Sequence, residues 1–292
     1  MENRPVCLIT GATSGIGEVT ARELARRGMH VVIVGRSRER TVATVARIKQ
    51  ATGVEVEPLI ADLSSQAGVR SVAEAFMQRH NRLDVLVNNA GGFFASRQVS
   101  VDGIEMTWAL NHMSYFLLTS LLLDVLRASA PARVVNVSSD AHRGGQMRWD
   151  DLQFTRGYNG WAAYAQSKLA NVLFSNELAR RLAGSGVTSN ALHPGFVATR
   201  FAHNNGPFWS GMMALMQRLW GISPEEGAQT SIYLATAPEV ATVSGRYFVK
   251  SRETAPAPQA QDMSAAARLW TISEQMLVSS APVLQGGAHS PA

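Results

Sequence analysis

The chain has 292 residues, 46% of them hydrophobic, which is enough for one large domain with a substantial buried core. Its 27 lysines and arginines outnumber its 22 aspartates and glutamates, for a net charge of +5. Most of the cations are arginines scattered along helix-forming segments, with no basic run flanked by aromatic residues, so we expect solvated helix faces and no nucleic-acid partner. The single cysteine, Cys7, excludes a disulfide within the chain and fits a reducing compartment.

No segment has the pattern expected of export or of a membrane span. The first predicted strand, VCLIT, begins at Val6, which leaves no room for a signal peptide. The most apolar stretch, residues 115–126, is short and carries Asp124, as expected of a buried helix. We therefore expect a cytoplasmic protein without a membrane span.

Short apolar runs alternate with helix-length segments along the chain. In order, the runs are VCLIT, HVVIVG, VEVEPLIADL, LDVLVNNAG, RVVNVSS, VTSNALHPG and GRYFV. Parallel strands need crossover connections, and the crossovers here have helical patterns. The sequence therefore predicts an α/β fold, with a parallel sheet of about seven strands and helices on both faces, in a single domain over residues 1–292.

Two segments exceed what this plan requires, at about residues 140–160 and 199–223. Both follow predicted strand ends, where ligands bind in open α/β sheets, so we expect them to form a substrate lid. The second segment is rich in methionine and aromatic residues, and its alternatives are core packing, a subunit contact or a membrane-surface helix. Residues 251–262 have the composition of a linker before a last helix, and we expect residues 281–292 to be a flexible tail.

The turn TGATSGIG, residues 10–17, lies between the first strand and the first helix. Glycines allow the backbone to approach a phosphate closely, and a helix amino terminus offers free N–H groups and a positive dipole end. A glycine-rich turn alone is weak evidence, but its position between strand and helix favours a dinucleotide-binding site.

Six further motifs follow in order. They are ADLS (61–64), NNAG (88–91), Asn111 in ALNHMSYF, VVNVSS (134–139), YAQSK (164–168) and HPG (193–195). Together with TGATSGIG they resemble the short-chain dehydrogenase/reductase family from about residue 4 to residue 250. The segments DDLQF (150–154) and SKLANVLFSNELARRL (167–182) are most similar to its retinol-dehydrogenase branch. The resemblance implies a doubly wound Rossmann-type domain that binds a nicotinamide cofactor.

The resemblance also implies which residues contact that cofactor. In the first turn these are Gly11, Thr13, Ser14, Gly15, Ile16 and Gly17. Asp62 and Leu63 would border the adenine ring, and Asn89, Ala90 and Gly91 would line the cofactor. Pro194, Gly195, Val197 and Thr199 would cover the nicotinamide side.

The end of the second strand indicates which nicotinamide cofactor binds. NAD-binding folds usually place an acidic residue there to hold the ribose 2′-hydroxyl. Here Gly35 occupies that position and Arg36 follows it. An arginine binds a 2′-phosphate through a charge-assisted fork, so we expect NADP. The alternative is that Arg36 and its neighbours only solvate the next helix.

Tyr164 and Lys168 lie four positions apart in a predicted helix, and therefore one turn apart on one face. Alone, such a pair is usually an ordinary surface pair. With the other motifs it implies that Tyr164 is the general acid or base, its pKa lowered by Lys168 and by the positive nicotinamide ring. Lys168 would also hold the cofactor ribose.

Two more residues complete the expected catalytic group. Ser139, at a strand end, would hydrogen-bond the substrate oxygen, with Ser138 as its rival. Asn111 would hold a water that links Lys168 to solvent, and the alternative is a satisfied core amide. The seven histidines lack ligand spacing, so we expect no metal site. His142 and His193, near strand ends, are expected to be structural.

These residues predict an NADP-dependent oxidoreductase acting on a carbonyl or alcohol carbon. Apolar residues of the expected lid, with Phe93, Phe94, Trp149 and Phe196, indicate a hydrophobic small-molecule substrate, whether retinoid-like, steroid-like or polyketide-like. The alternatives are double-bond reduction, isomerisation or epimerisation at the same site, or a non-catalytic NADP sensor. The resemblance makes a homo-oligomer, either dimer or tetramer, the expected assembly.

Overall fold

The computed structural model describes residues 4–195 and 222–279. Within these residues eight strands form one sheet, in the order β3-β2-β1-β4-β5-β6-β7-β8. The strands are β1 (Val6–Thr10), β2 (His30–Gly35), β3 (Glu57–Ile60), β4 (Val85–Asn88), β5 (Ala132–Val137), β6 (Val187–His193), β7 (Tyr247–Val249) and β8 (Arg252–Glu253). The first seven are parallel, and β8 pairs antiparallel with β7. The predicted doubly wound α/β fold is confirmed, with one short edge strand added.

Helices cover both faces of this sheet. They are α1 (Gly15–Arg26), α2 (Arg38–Thr52), α3 (Gln66–Met77), α4 (Met106–Trp108), α5 (Ser114–Leu121), α6 (Leu123–Ala128), α7 (Gly160–Arg181), α8 (Pro224–Thr236) and α9 (Met263–Ser279). A π-helical turn, Ala109–Met113, joins α4 to α5. None of the helices in the described ranges is both long and apolar enough to span a membrane.

Two separate cores hold the helices to the sheet, and β1 shows why. Its residues are buried on both faces, and successive side chains enter opposite cores. Val6 and Leu8 pack with residues of α3, α5 and α7. Cys7 and Ile9 pack with residues of α1, α2 and α8. A strand buried on both faces needs a continuous apolar run, which is the pattern seen in VCLIT.

The first surplus segment is fastened to the body of the protein. It begins with a 3-10 turn, Asp140–Gly144, and then runs along α7. The side chain of Gln166 accepts a hydrogen bond from the backbone N–H of Arg148 (2.8 Å) and donates one to the carbonyl of Leu152 (2.8 Å). The predicted lid function of residues 140–160 stays a prediction, while almost all of the other lid segment, 199–223, and the whole expected tail lie outside the described residues.

The linker-like stretch 251–262 is also held in place. It contains β8 and a 3-10 turn, Pro258–Gln261, and it leads into α9 as expected. The amide of Gln259 donates hydrogen bonds to the carbonyls of Arg143 (2.9 Å) and Gly145 (3.2 Å). The stretch therefore packs against the segment that follows β5, which the composition of this stretch did not indicate.

Candidate active site

The site lies at the carboxyl ends of β1 and β4, where the strand order reverses direction. Side chains join the two strand ends. The hydroxyl of Thr10 accepts hydrogen bonds from the backbone N–H groups of Asn89 (2.9 Å) and Ala90 (3.0 Å). In return the Asn89 amide donates to the carbonyls of Thr10 (2.8 Å) and Gly11 (3.1 Å). Asn89 and Ala90, predicted to line the cofactor, therefore fix the start of the glycine-rich turn.

The start of α1 differs from the starts of the other long helices. A side chain caps each of α2, α3, α7 and α8 by accepting a hydrogen bond from a first-turn N–H group. At α1 the N-cap residue Ser14 is extended, and its side chain makes no such bond. The first N–H groups of α1 are therefore not satisfied by their own cap, which suits them to an anion.

Two glycines of this turn have no room for a side chain. Gly11 has φ +65°, and a Cβ there would lie 2.7 Å from Cα of Ala90. A Cβ on Gly17 would lie 2.5 Å from Nδ2 of Asn89. Both contacts are too short for a real Cβ, so the turn packs directly on the segment that follows β4.

Gly35, the last residue of β2, is also enclosed. A Cβ there would lie 2.3 Å from Cγ2 of Thr13 and 2.3 Å from Oγ1 of Thr41. Any larger residue at this position would displace Thr13 in the glycine-rich turn. Arg36 is exposed beside it and has no hydrogen-bond or ion-pair partner among residues 4–195 and 222–279. The position that usually carries an acid in NAD-binding folds therefore has no space for one here.

Asp62 and Leu63 follow β3, on the side of the cradle where the adenine ring is expected. Oδ1 of Asp62 accepts hydrogen bonds from the backbone N–H (3.0 Å) and the hydroxyl (2.8 Å) of Ser64. Leu63 is buried in the core below it. The Asp62 side chain is exposed and its local turn is fixed, so the predicted adenine contact stays a prediction with a compatible geometry.

Tyr164 and Lys168 lie one turn apart on α7, as predicted, and both are buried, at 7% and 4% exposure. Nζ of Lys168 lies 5.7 Å from the centre of the Tyr164 ring. It donates a hydrogen bond to the carbonyl of Val137, the last residue of β5 (3.1 Å). The lysine is therefore held between the phenol and the end of β5, and the pair is not an ordinary surface pair.

The two candidate serines after β5 have different surroundings. The hydroxyl of Ser138 is buried and donates to the backbone carbonyl of Lys168 (2.7 Å). Ser139 is partly exposed, and its hydroxyl forms a hydrogen bond with the phenol of Tyr164. Ser138 thus fastens β5 to α7, and Ser139 is the serine that contacts the phenol of Tyr164.

Burial shifts the pKa values of both members of the pair. Burial raises the pKa of Tyr164, and the hydrogen bond with Ser139 lowers it by less. Burial also lowers the pKa of Lys168 to about 7, so this amine carries only part of a positive charge at neutral pH. In the chain without a cofactor the pKa of Tyr164 is therefore raised, because desolvation outweighs the hydrogen bond with Ser139. The predicted lowering, which also relies on the positive nicotinamide ring, stays a prediction.

Asn111 lies in the π-helical turn between α4 and α5. Its carbonyl oxygen accepts from the backbone N–H of Gly92 (2.8 Å), and its amide donates to the Gly92 carbonyl (3.0 Å) and to the hydroxyl of Ser167 (2.9 Å). Its side chain is completely buried and well satisfied, as the core-amide alternative requires. Single π-helical turns are frequent at functional sites, but nothing in ALNHMSYF indicated one.

Gly91 shows how close Asn111 is to the lysine. A Cβ on Gly91 would lie 3.3 Å from Oδ1 of Asn111 and 3.5 Å from Nζ of Lys168. Gly91, the last residue of the NNAG motif, therefore lies close to both the Asn111 amide and the Lys168 amine. The predicted water between them stays a prediction, and the space beside Gly91 is where it would have to lie.

Two aromatic side chains flank Tyr164. Phe93 lies edge-on to its ring, with the ring centres 6.2 Å apart. The ring centre of Trp161 lies 5.9 Å from that of Tyr164, and Trp161 is 61% exposed, which is unusual for so large an apolar side chain. Trp161 was not among the predicted site residues, although its position one helical turn before Tyr164 places both on one face of α7.

The other apolar residues predicted to face the substrate have different positions. Trp149 packs with the core between α7 and α9, under the guanidinium of Arg268 (4.5 Å), which corrects its assignment to the substrate pocket. Phe94 is buried beside the start of α7, where a Cβ on Gly160 would lie 2.4 Å from its carbonyl. Phe196 lies outside the described residues.

The HPG motif ends β6 next to the end of β5. Nδ1 of His193 accepts a hydrogen bond from the backbone N–H of Asp140 (3.1 Å), which ties the two strand ends together. Gly195 has φ +96°, and a Cβ there would lie 2.4 Å from Cδ1 of Ile222. Pro194 and Gly195 are therefore at the correct edge of the sheet for the predicted cofactor contact. Val197 and Thr199 lie outside the described residues.

His142 is held by three groups, in keeping with a structural role. Its Nδ1 lies 2.7 Å from the carbonyl of Ser139 and 3.4 Å from the hydroxyl of Tyr247. Its Nε2 accepts from the backbone N–H of Ala257 (3.0 Å). Because Nε2 accepts, the proton lies on Nδ1 and is donated to Ser139, and burial lowers the pKa of His142. The ring thereby joins the catalytic strand end to the stretch before α9.

Comparison with known proteins decides the family. The profile of the short chain dehydrogenase family matches residues 5–208, which is more than half of the chain. The chain belongs to this family. Within the family, retinol dehydrogenase 13 of Homo sapiens is 45% identical over 281 residues, spanning 94% of this chain and 85% of its own. The resemblance to the retinol-dehydrogenase branch is thereby confirmed.

Solved structures of other short-chain dehydrogenases share the fold. An uncharacterized protein from Mycobacterium paratuberculosis is 34% identical, with a TM-score of 0.76 over 93% of this chain and 92% of its own. RhlG of Pseudomonas aeruginosa, solved as an NADP active-site complex, is 33% identical, with a TM-score of 0.67 over 84% of this chain and 93% of its own. This short-chain dehydrogenase therefore has the family's sheet and the family's nicotinamide-cofactor chemistry.

Proposed function

We propose that this short-chain dehydrogenase is an NADP-dependent oxidoreductase that transfers a hydride between nicotinamide and a carbonyl or alcohol carbon of a hydrophobic small molecule. One observation carries the proposal. The phenol of Tyr164 is hydrogen-bonded to Ser139 and stands beside the buried amine of Lys168, at the same sheet edge as the uncapped start of α1. The proton-transfer group at Tyr164 and the anion-binding turn before α1 therefore lie at the same edge of the sheet.

The residues of this group have distinct roles in the proposed reaction. When bound, the nicotinamide cofactor supplies or accepts the hydride. Tyr164 transfers the proton to or from the substrate oxygen, and Ser139 holds that oxygen beside the phenol. A raised pKa keeps the phenol protonated at neutral pH, which is the form that donates a proton when a carbonyl is reduced. Lys168 and Asn111 support the transfer by holding the cofactor ribose and a proton-relay water.

Two features favour NADP over NAD. Gly35 has no space for the carboxylate that would hold a ribose 2′-hydroxyl, because Thr13 and Thr41 already enclose it. Arg36 is exposed at the same strand end, with its guanidinium unpaired within the described residues, and can bind a 2′-phosphate. Glu18, the acidic residue in the first turn of α1, is neutralised by a two-bond ion pair with Arg47 (2.7 and 2.9 Å).

The surroundings of Tyr164 favour an apolar substrate. Phe93 and Trp161 both pack against the ring of Tyr164, and the exposed face of Trp161 has no protein cover among the described residues. A flat or extended hydrocarbon could cover this ring while its oxygen reaches Tyr164 and Ser139. Since retinol dehydrogenase 13 is a relative, retinoid alcohols and aldehydes are the first substrates to test.

A binding experiment tests the cofactor assignment first. Purified protein is titrated with NADPH and NADH while nicotinamide fluorescence is followed, in the wild type, in Arg36→Ala and in Arg70→Ala. Arg70 is a matched exposed arginine on α3, away from the cradle. We expect tighter binding of NADPH than of NADH, a loss of that preference in Arg36→Ala and no change in Arg70→Ala. Equal affinity for both nucleotides in the wild type would refute the NADP assignment.

A product analysis then tests the reaction. The protein and NADPH are incubated with apolar aldehydes, ketones and enones, and the products are identified by mass and stereochemistry. Reduction at the carbonyl supports the proposal, whereas saturation of the double bond alone, or epimerised product, supports the alternative reactions of the same site. The expected dimer or tetramer and the cytoplasmic location stay predictions, and light scattering after size exclusion checks the assembly.

A further inference from the structure

Three potential metal ligands meet at the edge of the sheet opposite the active site. They are His30 at the start of β2, Glu57 at the start of β3, and His80 after the end of α3, named here the His-Glu-His cluster. One ligand atom from each residue lies within 4.8 Å of the other two. Since β2 and β3 are parallel, their first residues lie at the amino edge, far from Tyr164 at the carboxyl edge.

The two imidazoles converge on one carboxylate oxygen. Nε2 of His80 lies 2.8 Å from Oε2 of Glu57, and Nε2 of His30 lies 3.4 Å from the same oxygen. In a tetrahedral site with bonds of about 2.0–2.2 Å, neighbouring ligand atoms stand about 3.3–3.5 Å apart. The distance from His30 Nε2 to Oε2 of Glu57 already has this value, and the distance from His80 Nε2 to that oxygen would have to increase by about 0.5 Å.

Neighbouring side chains orient the ligands. The guanidinium of Arg79 donates to the other carboxylate oxygen, Oε1 of Glu57 (2.7 Å), which leaves Oε2 facing the two rings. The His80 ring packs against Phe76, with the ring centres 4.9 Å apart. Ligands held in this way by a second layer of contacts are a regular feature of protein metal sites.

The burial of the cluster suits a site that keeps one position open. The Glu57 and His80 side chains are 20% and 14% exposed, whereas that of His30 is 40% exposed. Solvent therefore reaches the cluster mainly from the His30 side, because the other two ligands are mostly covered.

We propose that the His-Glu-His cluster binds one zinc ion through Nε2 of His30, Nε2 of His80 and Oε2 of Glu57, with water as the fourth ligand. Two imidazoles and one carboxylate favour zinc over magnesium or calcium, which prefer oxygen ligands alone. The ion would connect the starts of β2 and β3 to the segment after α3. Sequence spacing could not indicate this site, because its ligands come from three distant positions.

Zinc binding to the full chain, without a polyhistidine tag and after dialysis against a chelator, tests the proposal. Calorimetry with zinc chloride is expected to give one site per chain, and cobalt(II) is expected to give the visible absorption of a tetrahedral complex. Glu57→Gln and His30→Ala should each weaken zinc binding at least about tenfold, since even indirect partners of metal ligands contribute about 10–100-fold. Zinc should raise the unfolding midpoint of the wild type and leave that of Glu57→Gln unchanged.

Glu55→Gln is the matched control. Glu55 is a nearby carboxylate, paired with Lys49 at the surface and 71% exposed, and its replacement should leave zinc affinity unchanged. NADPH titration of each variant, together with circular dichroism, shows that the fold is intact, because the cofactor cradle is at the other edge of the sheet. Absence of one-to-one binding, or equal zinc affinity in the wild type and in both ligand variants, would overturn the proposal.

Discussion

Nζ of Lys168 lies 3.1 Å from the carbonyl oxygen of Val137, so a nearly buried amine is held at the end of β5 by one backbone acceptor among the described residues. Removal of this amine from water lowers its pKa to about 7. Such an arrangement costs stability whenever the amine is charged, because the one carbonyl replaces only part of its lost hydration.

Stability should therefore depend on pH through Lys168. An unfolded lysine has a pKa of about 10.4, so between about pH 7 and 10.4 the unfolded chain binds a proton that the folded chain does not. The free energy of unfolding then rises with pH in this window, by up to about 1.4 kcal/mol per unit. Urea unfolding of the ligand-free protein at pH 7.0 and 8.0, compared with Lys168→Met, measures it. Equal slopes in both proteins would contradict the assigned burial.

Tyr164→Phe should remove catalysis and leave cofactor binding in place. General acid–base catalysis contributes about 10²–10⁴-fold, so we expect kcat to fall by at least about a hundredfold. The ring packing with Phe93 and Trp161 is kept by the substitution, so the fold should not change. Tyr233→Phe, on α8 away from the site, is the matched control and should retain full activity. Steady-state kinetics and NADPH titration of both variants give the result.

The two serines after β5 should separate activity from stability. Ser139→Ala removes the hydroxyl that contacts Tyr164 and should lower kcat about 10²-fold with little effect on unfolding. Ser138→Ala removes a buried hydrogen bond to the Lys168 carbonyl and should lower the free energy of unfolding by about 0.5–1.5 kcal/mol. Kinetics and urea unfolding are measured on both. The opposite pattern would show that Ser138 is the reacting serine.

Gly35→Ala should destabilise the protein and weaken NADPH binding together. The added Cβ would overlap Thr13 and Thr41, and overpacking of this kind costs about 1–3 kcal/mol. Displacement of Thr13 also distorts the cofactor turn. Gly144→Ala is the control, since a Cβ there meets nothing within 4 Å, and should stay within about 0.5 kcal/mol of the wild type. Urea unfolding and NADPH titration report both effects, and a stable, tightly binding Gly35→Ala would contradict the packing.

Trp161→Ala should raise KM for apolar substrates by about tenfold, which corresponds to the loss of roughly 1.4 kcal/mol of contact, and should change kcat much less. The indole lies beside Tyr164 with its outer face exposed, so its removal deletes binding surface and leaves the reacting group in place. Trp149→Phe changes a tryptophan in the α7 and α9 core and should not alter KM. Kinetics with a long apolar aldehyde and with a short polar one separate the two residues, because the short substrate should be insensitive to both.

The order of strands and helices, the family and the pairing of Tyr164 with Lys168 could all be predicted from the sequence. Each depends on short-range information. Apolar runs of strand length alternate with helical patterns, and four positions along a helix place two side chains on one face whatever surrounds them. Gly35 and Arg36 likewise are neighbours in the chain, so their joint position at the end of β2 follows from the strand alone.

Other features of the site depend on contacts between residues far apart in the chain. The choice of Ser139 over Ser138 depends on two contacts. The hydroxyl of Ser138 donates to the backbone carbonyl of Lys168, whereas that of Ser139 bonds to the phenol of Tyr164. The π-helical turn at Asn111 is held by hydrogen bonds to Gly92 and Ser167. Trp161 is proposed as a substrate contact because its side chain is exposed beside Tyr164, and this exposure could not be predicted from the sequence.

The pKa values of Tyr164 and Lys168 show most clearly what the sequence determines and what only the tertiary structure decides. The sequence determines that an amine stands one turn from the phenol of Tyr164, and from that spacing a lowered pKa of the phenol is the natural expectation. Only the tertiary structure decides that both groups are buried, so that burial raises the pKa of Tyr164 and lowers that of Lys168. The physical reason is that desolvation depends on every atom packed around a charge, whereas chain spacing specifies only its nearest partner.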